Sequence, residues 1–431
     1  MNQINSIESE VRSYCRAYPA MFDKAKDVFL YDEDGKKYYD FLCGAGSLNY
    51  GHNNPILKKA IIDYLNDDRI IHSLDIASKA KEAFLESFQT KILSPRDLKY
   101  KVQFTGPTGT NAVEAALKLA RKVTGRTNII SFTNGFHGVT LGAVAATGNQ
   151  HHRGGAGIPL SGVTFMPYDG YMGKSMNSID YLRRVLEDNS SGTDLPAAII
   201  LETVQGEGGI NVASQKWLKE IQSICHEYGI LMIVDDIQVG CGRTGTFFSF
   251  EEAEIEPDLI VLSKSLSGFG LPFSLLLMKP KHDIWEPGEH NGTFRGNNLA
   301  FVTAKTAIDE YWDTQELEAE VGRKSIILRE RLSKIAKKYI SDNVEVRGRG
   351  MAYGIDVVLE DVAEAIKKKC FENGLILETC GPVDQVVKFL PALTIKDQDL
   401  NDGLDIFEKS VKQVMEDSDF QKQIEDEIVQ N

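Results

Sequence analysis

Two residues of opposite charge close apolar segments that read as strands. Asp235 ends Leu231-Met232-Ile233-Val234, and Lys264 follows Leu259-Ile260-Val261-Leu262 and Ser263. In an open parallel sheet, ligands bind outside the carboxyl ends of the strands, so both groups should reach one crevice. A carboxylate and a lone amine in one crevice are what pyridoxal chemistry needs. The lysine condenses with the cofactor aldehyde, and the carboxylate keeps the pyridine nitrogen protonated so that the ring accepts electrons from a carbanion. The freed amine can then move a proton between substrate carbon and cofactor. Either residue alone reads equally as structure, Asp235 as a loop cap and Lys264 as a solvated strand end. Their joint placement within one long motif favours chemistry.

Three further segments could serve such a site. In TGPTGTNAVEAALKLAR, Thr105 to Arg121, a strand ends, a Gly/Thr turn follows and an amphipathic helix begins. A helix N-terminus offers free N–H groups and a positive dipole end, so Gly109 and Thr110 could hold a phosphate, with the Thr110 hydroxyl as an extra donor. Taken alone, such a turn is also an ordinary cap. In Gly135-Phe136-His137-Gly138-Val139-Thr140, Phe136 could stack on a flat heteroaromatic ring or simply pack beneath a glycine loop. Glu202-Thr203-Val204-Gln205-Gly206-Glu207-Gly208-Gly209 brings two carboxylates to the same edge. Paired acids also serve metals and glycosidases. The absence of nearby His or Asp ligands argues against a metal, and none is expected.

The elements that must position these residues alternate. Strands are expected at Lys101–Phe104, Asn128–Phe132, Ala197–Glu202, Leu231–Asp235 and Leu259–Leu262, with helices such as Ala112–Arg121 and Gln215–Tyr228 between them. This alternation predicts an α/β fold with a mostly parallel, helix-covered sheet. Val28–Tyr31 and Lys37–Phe41 flank Asp34-Gly35 and read as a hairpin. Short strands at Val344–Val346 and Ile355–Val358 mark the last hundred or so residues. The expected division is an N-terminal segment, 1–60, contributing to a small domain; a large domain, 61–320; and a C-terminal small domain, 321–431.

Composition narrows the function classes. The chain has 431 residues, long enough for more than one domain, and a formal charge of -14, which disfavours nucleic acid. Its six cysteines are scattered without a CxxC pair, as in reduced cytosolic proteins. The N-terminus, MNQINSIESEVRSYCR, carries early acids and no apolar core, so it is no secretory signal and a cytoplasmic location is expected. The longest apolar runs, such as the one around Leu275 to Met278, are far too short to span a bilayer.

Together the motifs resemble the class III (ω-amino acid) aminotransferases, fold type I pyridoxal enzymes. The resemblance rests on Asp-x-x-Gln-x-Gly-x-Gly-Arg-Thr-Gly at Asp235–Gly245, Lys264, Gly109-Thr110, the Phe136-His137-Gly138 triplet and Glu202-x-x-Gln-Gly-Glu207, and it runs from Gly51-His52 to Pro391. It implies a large domain with a mainly parallel, seven-stranded-type sheet covered by helices, plus a small α+β domain. It also implies pyridoxal 5'-phosphate (PLP) as cofactor and amino acids and keto acids as substrates.

By position, Lys264 would be the cofactor lysine, Asp235 would pair with the pyridine nitrogen, and Gln238 would contact the ring hydroxyl. Phe136 would stack on the ring, and Gly109 and Thr110 would hold the phosphate. Thr293 matches a threonine that reaches the phosphate of the neighbouring subunit, which implies an obligate homodimer or a tetramer built from it. Glu207 stands at the cofactor's edge, where many class members pair the matching acid with an arginine that swings to bind glutamate's carboxylate. This chain has Lys388 at that place, and lysine lacks the planar fork of arginine. Lys388 is therefore expected to form a weaker gate with Glu207, or to be structural. Arg295 and Arg153 are further candidates for the substrate carboxylate, and each also reads as a surface or interface arginine.

Within the class, LSKSLSGFGLPFSLLLMKP and WEPGEHNGTFRGNNLAFVTA resemble the transaminases that exchange an amine between glutamate and aspartate 4-semialdehyde, a step towards the compatible solute ectoine. Enzymes acting on ornithine, acetylornithine or 4-aminobutyrate share the same catalytic residues. An aminomutase or a non-catalytic cofactor-binding protein are the remaining alternatives.

Overall fold

The computed structural model describes residues 2–173, 176–416, 420, 423–424 and 426–427. Its centre is a seven-stranded sheet. Across the sheet the order is Lys101–Phe104, Leu275–Met278, Leu259–Leu262, Leu231–Asp235, Ala198–Leu201, Ile129–Phe132 and Val163–Met166. Only Leu275–Met278 runs against its neighbours; the other adjacent pairs are parallel. The strands on either side of Asp235 are continuous buried apolar runs, as expected of a sheet covered on both faces.

Helix Gly109–Thr124 packs on this sheet through Ala112, Val113, Ala115, Ala116, Leu117, Leu119 and Ala120, all buried. The alanines let its axis lie close to the strands. Thr108 caps its start by accepting the Asn111 N–H, and Gly125 ends it in the left-handed conformation that glycine adopts without cost. Helix Gln215–Tyr228 spans the expected residues, capped by Ser214 and ended by left-handed Gly229.

Two smaller sheets draw on both ends of the chain. Phe22–Lys26, Phe29–Asp32 and Lys37–Asp40 form an antiparallel set, and Leu375–Ile376 joins it parallel to Lys37–Asp40. Glu345–Arg349, Ala352–Asp356, Val386–Phe389 and Glu378–Cys380 form the other. Its register sets Lys388 directly opposite Glu378.

Arg243, from the glycine-rich motif, is fully buried and joins three distant parts of the chain. It donates to the carbonyls of Met351 and Pro391 and, at 2.6 Å, to Asn49 Oδ1. Its motif position thus holds the C-terminal part of the chain against the loops beside the cavity.

The structure departs from the sequence reading at the less apolar strands. The C-terminal pair lies at Glu345–Arg349 and Ala352–Asp356, because glycines interrupt the apolar pattern without ending the strands. Gly348 sits within one of them, where a Cβ would come 2.2 Å from the Ala352 carbonyl oxygen. Val163–Met166 and Leu275–Met278 were not among the expected strands. The second is an unbroken apolar run, whose type periodicity alone does not decide.

Candidate active site

A cavity of about 240 Å³ opens at the carboxyl ends of the Leu231–Asp235 and Leu259–Leu262 strands. Gly109, Thr110, Phe136, Glu207, Asp235, Gln238 and Lys264 all border it. Seven residues named from sequence, spread over more than a hundred positions, thus meet at one edge of one sheet.

Asp235 is 4% exposed. Its Oδ2 lies 2.7 Å from His137 Nδ1, and its Oδ1 accepts the Ile237 N–H at 3.2 Å. Burial pulls the His137 imidazole down, but the Asp235 carboxylate and Glu202 outweigh it, so the ring holds its proton more tightly than usual. His137 stands in the sequence motif, yet nothing in the sequence marks it as the partner of an aspartate 98 residues away. Glu202 accepts the N–H groups of Phe136, at 3.0 Å, and Gly206, at 3.3 Å. It thereby fixes the loops that carry Phe136 and Glu207.

Lys264 has φ +48, a conformation side-chain-bearing residues avoid and one that gathers at functional sites. Its Nζ donates to the Ala45 carbonyl at 2.9 Å. Burial holds the amine below its ordinary range, against the pull of Glu207, so more of it is the free base at neutral pH. Gln238 donates to Glu207 Oε1 at 2.8 Å and to the Ala45 carbonyl at 3.1 Å. Its Oε1 is buried without a hydrogen-bond partner among the described residues. Gly206 permits this approach, since a Cβ there would lie 1.6 Å from that oxygen.

At the phosphate end, Gly109 and Thr110 open the helix, where first-turn N–H groups have no intrahelical acceptor. A Cβ on Gly109 would meet Ile237 at 2.8 Å, so glycine lets the helix end approach the cavity. The hydroxyl of Thr140 donates to Glu114 Oε1 at 2.6 Å and lies 2.7 Å from Thr110 Oγ1. With the Thr140 proton spent on the carboxylate, Thr110 must donate to Thr140. The Thr110 backbone N–H, in the first turn of the helix, is a second group that could face a phosphate.

Two of the three substrate candidates, Arg153 and Arg295, lie away from this cavity. Arg153 directs Nη1 to the carbonyls of Val144, Ala145 and Thr147 and covers the Phe165 ring, so its cation closes a helix end. Arg295 borders a different cavity and faces Asp75 at 3.7 Å. Thr293 is exposed beside Phe294 and outside the Lys264 cavity. Lys388 is fully buried, 2.9 Å from Glu207 Oε1. It is also 2.9 Å from Glu378 Oε1, a second ion pair. Glu378 had no role in the sequence reading. Hairpin symmetry about Val383 could have revealed it, because that register faces it with Lys388.

Behind Asp235, Asp236 is fully buried, with Oδ2 accepting the Ser249 N–H and Oδ1 unpaired. Burial pushes its carboxyl up to about 7. The folded state therefore binds this proton more tightly than the unfolded state does. The associated stability is complete below the ordinary carboxyl range and is lost as pH rises through about 7. Asp236→Asn should raise the melting temperature at pH 8.5 by a gain on the order of 2–4 kcal/mol, with little change near pH 4. An equal pH slope in both proteins, by calorimetry, would exclude this origin.

These residues fit PLP. The helix end offers free N–H groups to a phosphate, Asp235 is fixed from two sides, Gln238 keeps an unpaired buried oxygen, and Lys264 supplies an amine eased towards its free base.

Residues 12–411 match the family model for class III aminotransferases. The chain is 56% identical over 406 residues to a diaminobutyrate–2-oxoglutarate transaminase of Bordetella parapertussis, covering 94% of this chain and 93% of that one. It is 55% identical over 413 residues to the protein of the same name from Halomonas elongata, covering 95% and 98%. Among solved structures, the ornithine aminotransferase of Toxoplasma gondii, which carries PLP at its active site, superposes with a TM-score of 0.82. The two are 26% identical over 96% of this chain and 94% of that one. The chain is therefore an enzyme that works with PLP, and it belongs to the class III aminotransferases.

Proposed function

We propose that this aminotransferase exchanges the 4-amino group of L-2,4-diaminobutyrate with 2-oxoglutarate, giving L-aspartate 4-semialdehyde and L-glutamate. In the direction of diaminobutyrate synthesis this is the first committed step towards ectoine, in the response to osmotic stress. The reading is carried by identity above half, over nearly the whole length, to relatives that bear this activity in their names. Among the described residues no helix is long and apolar enough to cross a membrane, and we place the reaction in the cytoplasm.

Bound PLP supplies an electron sink for the carbanion formed when the substrate loses its proton. The protein's residues do the rest. Gly109 and Thr110 hold the phosphate by backbone N–H groups at the positive end of their helix. Asp235 keeps the pyridine nitrogen protonated, and His137 holds that carboxylate in orientation. Phe136 would cover the ring, and Gln238, which keeps a buried unpaired oxygen beside the cavity, would meet the ring hydroxyl. Lys264 would hold the cofactor by its aldehyde, and its amine, eased towards the free base, is the group that would take and return the substrate proton in both halves of a ping-pong cycle.

Thr293 completes the phosphate site of a second copy of the chain. Its exposure outside its own cavity suits that role and supports a dimer, with residues 61–320 as the large domain. Residues 1–60 and 321–431 then build the small one.

The test is a substrate profile. Purified protein given 2-oxoglutarate and diaminobutyrate should form glutamate with a kcat/KM at least about tenfold above that for ornithine or 4-aminobutyrate. Preference for either competitor would leave the family intact and refute the substrate.

A further inference from the structure

The cluster of Glu207, Lys388 and Glu378 presents its anion to the cavity and hides its cation. The Glu207 side chain is 30% exposed, whereas Lys388 is 0% and Glu378 9% exposed. Glu207 borders both the Lys264 cavity and an adjoining cavity of about 280 Å³, which Asp384 also borders. Along the two cavities carboxylates outnumber ammonium groups, with Glu202, Glu207, Asp235 and Asp384 against Lys264. Lys388 lies on a strand directly opposite Glu378, so strand pairing holds its ammonium against that carboxylate.

We propose that this cluster receives the non-reacting ammonium group of a diamino acid on Glu207, with Glu378 as the specificity-determining residue that keeps the cluster acidic. The proposal rests on the diaminobutyrate reading and extends it. Two carboxylates face one ammonium, so the cluster has capacity for one more positive charge. Glu207 Oε1 already accepts from Lys388 and Gln238, at 2.9 and 2.8 Å. Its Oε2 has no hydrogen-bond partner among the described residues and is left for a ligand.

The electrostatics agree. Burial pushes Glu378 up, Lys388 pulls it down and Glu207 pushes it up again, and the net direction is up. A carboxylate held beside another anion in this way gains from an added cation nearby. Lys388 is held well above its ordinary range by the same two acids, although burial opposes them, so its charge is committed to them. Binding glutamate's carboxylate on Lys388, as the arginine of many relatives does, would need Glu207 to leave and the new anion to sit beside Glu378. The arrangement disfavours this and favours an ammonium.

Diaminobutyrate and 4-aminobutyrate differ only in the 2-amino group, so their ratio of kcat/KM isolates its recognition. Glu378→Gln keeps the shape and removes the charge. In the holoenzyme it should lower the diaminobutyrate kcat/KM at least about tenfold while that for 4-aminobutyrate changes less than about twofold. An equal loss on both substrates would overturn the proposal and leave the diaminobutyrate reading standing. A wild-type enzyme faster with 4-aminobutyrate would overturn that reading, and the proposal with it. Should Glu378→Gln not fold, Glu378→Asp keeps the charge and shortens its reach. It should lower the same ratio several-fold, and an unchanged ratio there would also overturn the proposal.

Discussion

Lys264→Ala should leave a folded protein in which transamination falls at least about 10⁴-fold, the upper range for one proton-transfer group. Two functions leave with the side chain: the attachment of the cofactor and the base that moves the substrate proton. The fold should not suffer. Lys264 is a half-buried amine that donates to the Ala45 carbonyl, and burial disfavours its charge. Its removal relieves that cost, so the melting temperature should hold or rise. The variant should bind PLP without covalent attachment, and single-turnover mixing with diaminobutyrate should show the loss in the chemical step. A residual rate within a hundredfold of wild type would move the proton transfer to another group.

Asp235→Asn should cost about 10²–10⁴-fold in kcat, with KM changed far less. The isosteric amide preserves the packing but lacks the charge that keeps a pyridine nitrogen protonated. Electrostatic groups aimed at developing charge are commonly worth this much when removed. The change also reaches His137. Its imidazole is pulled down by burial and held up by the Asp235 carboxylate, so in the variant its proton should leave at lower pH. Following the His137 ring by NMR across pH 5–9 tests that linkage, and an unaltered titration would break it. Activity within tenfold of wild type would show that Asp235 does not set the ring's protonation.

The cavity was largely legible in the sequence because its chemistry stands at the ends of simple elements. Asp235 and Lys264 follow unbroken apolar runs, and a charged residue after such a run marks a strand's carboxyl end. Gly109 and Thr110 open a helix whose apolar face repeats clearly. Leu275–Met278 is an apolar run of the same kind but is less legible, because no α-helix separates it from Leu259–Leu262 and its antiparallel course is set by neighbours on both sides. The partners of the site were hidden for another reason. His137 and Asp235 meet through tertiary packing, as do Thr110, Thr140 and Glu114. The family resemblance suggested Lys388 and Glu207 as a gate, but only burial reveals that the cation stands behind the anion.

The most direct measurement is chemical. Borohydride reduction of the yellow holoenzyme fixes the cofactor to the lysine that carries it, and peptide mass mapping then locates the added mass. The added mass should fall on Lys264. Its appearance on another lysine, or a protein that stays colourless after PLP is added, would contradict the site described here.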